Sequence, residues 1–227
     1  MKKNVIAKNP SNTWVFISWL WSSTCLYHVT FKYYNILFLV AKYLDTSKPP
    51  FNLKIAYPRL NLFRYEWIWV KDNSTGFLQA RKMPLKLTEN ILVFYKKLPT
   101  YNPQGVVDLE KPVVISKSSD SRNYGLKEKM YIKTQKNFPK NLLKFARDKE
   151  RFHPTQKPVA LLEYLVQTYT NENDVVLDNC MGSGSTGVAC MNTNRNFIGI
   201  ELDQNYFETA THRINEAKKK NVSLNES

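Results

Sequence analysis

The chain is short of glycine, cysteine, histidine and acid, and each shortage excludes something. Seven glycines in 227 residues rule out collagen-like and glycine-rich low-complexity classes, and residues 1–58 contain none. Three cysteines, Cys25, Cys180 and Cys190, form neither an even set nor a metal-ligand spacing, so a disulfide framework is excluded and a reducing cytoplasm is the expected location. His28, His153 and His212 are scattered, and no metal site is expected. Asp and Glu number 19 against 33 Lys and Arg, a net charge of +14, which suits a polyanionic partner and not an acidic-tailed or anion-repelling protein. No apolar run is long enough for a membrane. Lys2 and Lys3 precede an apolar stretch from Trp14 to Tyr27, in the manner of a signal or anchor. Ser18, Ser22, Ser23 and Thr24 interrupt it, it falls short of the roughly 20 residues a span needs, and membrane attachment is not expected.

The scarce glycine is concentrated where it matters. Asp174-Val-Val-Leu-Asp178 is a β-branched, apolar run ending in an acid, and Gly182, Gly184 and Gly187 follow it. This predicts a strand over 174–178, a glycine turn, and a helix over 185–193 whose first N–H groups point into the turn. A second apolar run, Asn196-Phe-Ile-Gly-Ile-Glu201, ends in an acid 23 residues beyond Asp178. A carboxylate there can accept two hydroxyl hydrogen bonds from a ribose. The turn is not G-x-G-x-x-G, and no Lys-Ser/Thr follows its last glycine, so it is no phosphate-cradling P-loop. A ligand without phosphates fits it better. Upstream, Pro158 is placed to start a helix over 158–169 with Val159, Leu161, Leu162, Leu165 and Val166 on its apolar face. The polar stretch His153 to Lys157 should then face the same pocket.

Three stretches, His153-Pro-Thr-Gln-Lys-Pro158, Asp178-Asn-Cys-Met-Gly-Ser-Gly-Ser-Thr186 and Phe197-Ile-Gly-Ile-Glu-Leu-Asp203, together resemble the cofactor half of the amino-group DNA methyltransferases. Those enzymes methylate N6 of adenine or N4 of cytosine from S-adenosylmethionine. The order of the motifs resembles the β permutation of the family. Phe63 to Lys71, Gly76 to Ala80, Glu89 to Lys96 and Thr100 to Gln104 are similar to the catalytic half, with Thr88 where the family commonly has histidine.

The resemblance implies an α/β, Rossmann-like S-adenosylmethionine-dependent methyltransferase fold, incomplete at the N-terminus. It implies that Asp178 and the main chain of Met181, Gly182, Ser183, Gly184 and Thr186 hold the methionine part of the cofactor. Glu201 would take the ribose, with Thr155 and Lys157 contacting the cofactor from the preceding loop. Double-stranded DNA is the implied partner, with room for a companion restriction endonuclease. The organisation expected is an atypical segment at 1–58, a catalytic-half remnant at 59–110, a basic insertion at 111–151, a cofactor half at 152–220 and a tail at 221–227, with the polar stretch Lys218 to Ser227 expected to fray. Further strands are expected over 66–70 and 91–95 and a helix over 205–219.

The catalytic motif is the discrepancy. The family places Asp/Asn/Ser-Pro-Pro-Tyr/Phe after its fourth strand, where the acid and a proline carbonyl accept the N–H bonds of the target amine and the ring stacks on the flipped base. Lys48-Pro-Pro-Phe51 has a donor where an acceptor is required, and Asn9-Pro-Ser-Asn12 lacks the second proline and the ring. Both read as chance matches, and no catalytic residue is assigned. No trace of the family's fourth and fifth strands is expected in residues 1–58, and the catalytic start reads as lost. Two functions follow: methyl transfer to an exocyclic amine of a DNA base, adenine N6 in particular, or an inactive remnant that binds cofactor or DNA. From Lys111 to Arg151, 12 basic residues face 4 acidic ones, at the place where the family inserts its target-recognition segment. Lys127, Lys129, Lys133, Lys136 and Lys140 are the expected phosphate anchors; such contacts position a protein without reading bases.

Overall fold

The computed structural model describes the backbone of residues 4–6, 14–20, 36–41, 57, 60–116 and 130–225. Two units make up the chain, residues 1–102 with 141–227, and residues 103–140.

The larger unit is an eight-stranded sheet carrying helices. Its strands are β1 (Asn4–Ile6), β2 (Trp14–Leu20), β3 (Ile36–Ala41), β4 (Phe63–Thr75), β5 (Lys86–Phe94), β8 (Leu142–Lys144), β9 (Val175–Asp178) and β10 (Asn196–Glu201). The spatial order is β1-β10-β9-β2-β3-β5-β4-β8. Neighbours β10, β9, β2 and β3 are parallel, β5 runs against both β3 and β4, and β1 runs against β10 at the edge. The carboxyl ends of β10, β9, β2, β3 and β4 therefore share one edge, where open α/β sheets bind ligands.

Two expectations are corrected here. Residues 1–58 do contain strands at the places of the fourth and fifth, because β2 pairs with β9 and β3 pairs with β2, both in parallel. Val-Phe-Ile and Ile-Leu-Phe-Leu-Val lack polar alternation, which is the pattern of strands in the middle of a parallel sheet and not of a half-exposed one. The expectation of fraying from Lys218 is not met up to Asn225. Helix α3 (Gln204–Asn225) continues to that point, anchored where the Asn221 amide donates to Met191 O and Asn194 Oδ1, both at 2.8 Å. Lys48–Phe51 and Asn9–Asn12 lie outside the described residues.

Helices α1 (Val159–Tyr169) and α2 (Ser185–Asn192) complete the core. Pro158 precedes α1 with an extended backbone and no side-chain cap; instead Asp148 accepts the Val159 N–H through both oxygens at 3.3 Å. Leu161, Leu165, Val166 and Tyr169 of α1 pack with Trp67 and Trp69 of β4, Ile91 and Val93 of β5, and Val176 and Phe197. The buried Tyr169 hydroxyl accepts the Trp67 indole N–H at 2.6 Å and shares a hydrogen bond with Tyr65 at 2.8 Å. Among the described residues no helix is long and apolar enough to cross a membrane.

The smaller unit is an antiparallel hairpin of β6 (Val107–Ser116) and β7 (Met130–Lys136). Its two strands are irregular: Asp108 pairs with Gln135 and Val113 with Lys133, so a bulge intervenes. Little periodicity is visible in this stretch because the bulge changes which residues share a face.

Candidate cofactor site

All four residues of β9 are buried, and Asp178 at its end is fully so. Its carboxylate accepts the Thr186 hydroxyl at 2.7 Å and the Cys180 N–H at 3.1 Å. A buried carboxylate must be hydrogen-bonded to be tolerated, and here both partners come from the turn that the strand feeds. The turn is made by Gly182 and Gly184 at φ +52° and +77°. Gly184 is also a packing requirement: a Cβ there would lie 2.7 Å from the Ala210 Cβ of α3. Its absence lets α3 pack close to α2.

Glu201 ends the neighbouring strand, with Gly199 level with Asp178. One of its oxygens accepts the Gly182 N–H at 2.8 Å, and the other accepts the N–H groups of Leu202 and Asp203 at 2.8 and 3.0 Å. The acid expected to meet a ribose is thus held against the glycine turn by main-chain donors.

The loop before α1 closes on this turn, as its polarity implies. The Ser183 hydroxyl donates to Gln156 Oε1 at 3.2 Å, the same oxygen that takes the Phe152 N–H at 2.9 Å. The Gln156 amide in turn donates to Asp148 at 3.1 Å. The His153 ring lies against Gly182, where an added Cβ would be 3.6 Å from it, and meets the Tyr206 ring edge-on at 4.3 Å. Thr155 donates its N–H to His153 Nδ1 at 3.1 Å, and its hydroxyl is 2.9 Å from the same nitrogen. Lys157 is buried and donates to Glu89 Oε2 of β5 at 2.8 Å, with the Trp69 ring 5.8 Å away.

Of the residues assigned from sequence, the structure gathers Thr155, Asp178, Met181, Gly182, Ser183, Gly184, Thr186 and Glu201 around one turn. Lys157 is tied to β5 beside them. Three contributors escaped the sequence reading. Gln156 bridges the two motifs, though it sits inside the quoted His153–Lys157 stretch. Arg213 donates to Ser183 O and, at 3.3 Å, to Ser185 Oγ, and its position on the third turn of α3 gave no signal. Glu89 was visible only as part of a matched stretch.

The expected phosphate anchors are a separate matter. Lys133, Lys136 and Lys140 are exposed in the smaller unit, whereas Lys127 and Lys129 lie outside the described residues. Lys133 and Lys136 are three apart on β7, so they point to opposite faces of the hairpin.

The donor set fits S-adenosylmethionine. Two carboxylates and a helix N-terminus surround the turn, and no lysine lies in it to favour a phosphate. Acids suit a sulfonium and an ammonium, while main-chain N–H groups suit a carboxylate. Glycine backbone permits close approach of the ligand.

A glycine turn between two acids, at the carboxyl edge of a mostly parallel sheet, defines a Rossmann-like fold with a nucleoside-cofactor site. Residues 11–212 match the N6/N4 family of DNA methylases, and the chain belongs to that family, whose cofactor is S-adenosylmethionine. Over 211 residues, 89% of this chain and 68% of the relative, it is 28% identical to the DNA adenine methyltransferase YhdJ of Escherichia coli K12. Over 63 residues, 28% of this chain and 23% of the relative, it is 46% identical to the type II methyltransferase M2.LlaDCHI of Lactococcus lactis subsp. cremoris. The solved structure of the M1.HpyAVI–SAM complex is similar over 90% of each chain, at 28% identity and a TM-score of 0.57.

Proposed function

We propose that this chain binds S-adenosylmethionine at the Asp178–Thr186 turn and transfers its methyl group to an exocyclic amine of a DNA base, adenine N6. The observation that carries the reading is the convergence on one turn of Asp178, Glu201 and the His153–Lys157 loop. Asp178 and the main chain from Met181 to Thr186 hold the methionine part, and Glu201 takes the ribose. Thr155 and Lys157 act from the loop. The cofactor supplies an electrophilic methyl group, and the protein's task is to hold the amine in line with it. Adenine is favoured by the likeness to YhdJ over most of the chain. Lys127, Lys129, Lys133, Lys136 and Lys140 anchor phosphates of double-stranded DNA, and a companion restriction endonuclease is compatible with the likeness to a type II methyltransferase. A reducing cytoplasm suits the three cysteines.

A second reading has its own observation. No acceptor-Pro-Pro-aromatic tetrad is present in the sequence, which favours a remnant that binds cofactor or DNA without transfer. Tritiated methyl transfer to mixed-sequence duplex, run beside calorimetry with S-adenosylmethionine, separates the two. Label in N6-methyladenine supports the first reading. Heat of binding without label supports the remnant. A folded protein that gives neither, and that does not bind a labelled duplex, ends both.

A further inference from the structure

We infer that the tip of the β4–β5 hairpin is a wedge that enters duplex DNA beside the target base. This rests on the DNA reading above and concerns a different part of the fold from the cofactor turn.

The position is set by strand register. Asp178 is level with Ile17, Ile17 with Phe38, Phe38 with Val93, and Val93 with Tyr65. From Tyr65, β4 runs on to Thr75 in the direction of the cofactor edge. At about 3.3 Å per residue, less a bulge after Val70, the hairpin overshoots Asp178 by on the order of 25 Å. That is more than the width of a duplex groove, about 12 Å at most.

The tip is ordered and exposed at once. Gly76 takes φ +99° and starts a single 3-10 turn over Phe77–Gln79. Main-chain bonds from Gln79 to Gly76 and from Lys82 to Gln79, at 2.9 and 2.8 Å, brace it. Thr75 Oγ1 donates to Lys86 O at 3.3 Å across the hairpin's neck. On this frame Leu78 is fully exposed and Phe77 is 68% exposed. Two adjacent large apolar side chains displayed on a braced tip carry a cost in water that a partner must offset.

Charge selects the partner. Arg81 and Lys82 follow the apolar pair within four residues and are exposed. The acid nearest in sequence, Asp72, accepts from Arg147 Nε at 2.9 Å and is neutralised there. An apolar point with a basic collar is the chemistry by which side chains enter a base step while the collar holds phosphates. Removal of a base from the stack at the cofactor edge requires some group to disturb the stack.

The test uses the full chain, a fluorescein-labelled mixed-sequence duplex, and the same duplex carrying a single mismatch. Phe77→Ala/Leu78→Ala and Arg81→Gln/Lys82→Gln change only exposed side chains, and circular dichroism confirms their folding. For the apolar pair we expect duplex affinity to fall at least tenfold with the salt slope unchanged, and the mismatched duplex to recover part of the loss because it costs less to unstack. For the basic pair we expect the salt slope to shrink by about 2. Wild-type duplex binding that Phe77→Ala/Leu78→Ala retains in full overturns the wedge alone. A shift of that variant from oligomer to monomer in sedimentation overturns it in favour of a second copy of the chain. Absence of wild-type duplex binding, with cofactor binding intact, overturns the DNA reading and the wedge with it.

Discussion

Lys157 Nζ lies 2.8 Å from Glu89 Oε2, and Lys71 Nζ lies 3.6 Å from the other oxygen of the same carboxylate. All three side chains are buried. One carboxylate therefore serves two ammonium groups, and it ties the loop that closes the cofactor turn to strand β5. Removing it strands positive charge in the interior. Glu89→Gln should lose roughly 3–5 kcal/mol of stability, the usual cost of breaking a buried pair from one side. Urea unfolding measures it; a loss below about 1 kcal/mol would show that water reaches these lysines. Replacing all three members, Glu89→Leu with Lys71→Met and Lys157→Met, should cost less than Glu89→Gln alone.

Asp178 and Glu201 bracket the turn but are held differently, and their variants should separate. Asp178 takes the Thr186 hydroxyl and the Cys180 N–H, and Asp178→Asn keeps one acceptor while losing the charge. Its S-adenosylmethionine dissociation constant should rise at least tenfold, about 1.4 kcal/mol. Glu201→Gln loses the charge that gathers the N–H groups of Gly182, Leu202 and Asp203. It should weaken S-adenosylmethionine and adenosine alike, since both carry the ribose. Calorimetry with the two ligands decides; adenosine bound by Glu201→Gln as tightly as by wild type would remove the ribose role from Glu201.

Two positive-φ glycines offer a matched pair for the packing of α2 against α3. Gly184→Ala brings a Cβ to 2.7 Å from Ala210 Cβ at φ +77°, whereas Gly76→Ala meets nothing within 4 Å at φ +99°. The second change should cost only the backbone term, about 1 kcal/mol. The first adds overpacking and should cost roughly 2–4 kcal/mol. Thermal unfolding of both variants tests the ranking; equal midpoints would mean that α3 gives way without penalty.

What the sequence made legible was local. Helix 158–169 and strand 196–201 appear as Val159–Tyr169 and Asn196–Glu201, because a proline start, an apolar face and a terminal acid are read within a few residues. The strands at Trp14–Leu20 and Ile36–Ala41 were not legible. Their apolar side chains do not alternate, so nothing distinguishes a sheet's central strand from a buried helix until its neighbours are known. The long reach of β4 was hidden for another reason: Lys71 to Thr75 is polar, and its strand character comes from pairing with β5. At the site, the glycine turn and its acids were legible, while the bond that Ser183 donates to Gln156 and the one it accepts from Arg213 join segments 27 and 30 residues apart and carry no pattern along the chain.

Two buried groups contribute to the alkaline sensitivity of the fold. Burial pushes the Cys190 thiol well above its ordinary 9.0, with the Asp178 carboxylate adding to the shift. Burial likewise pushes the Tyr169 hydroxyl far above 10.0, reinforced by its bond with Tyr65. In each case the folded state keeps a proton that the unfolded chain releases. The stabilisation is complete below the unfolded value and is lost as pH rises past it toward the folded value. The window therefore opens near pH 9 for Cys190 and near pH 10 for Tyr169. Each group removes up to about 1.4 kcal/mol per pH unit once its window is open. Burial lowers the Lys71 and Lys86 ammonium groups, which act with the opposite sign, so the wild-type profile alone is a sum. The difference between wild type and Cys190→Ala isolates the thiol. Measured by denaturant unfolding, that difference should be flat from pH 7 to 8.5 and should then shift by about 1.4 kcal/mol per unit in favour of the alanine variant. A difference that stays flat to pH 10.5 would mean that Cys190 ionises in place, and that the core around it admits water.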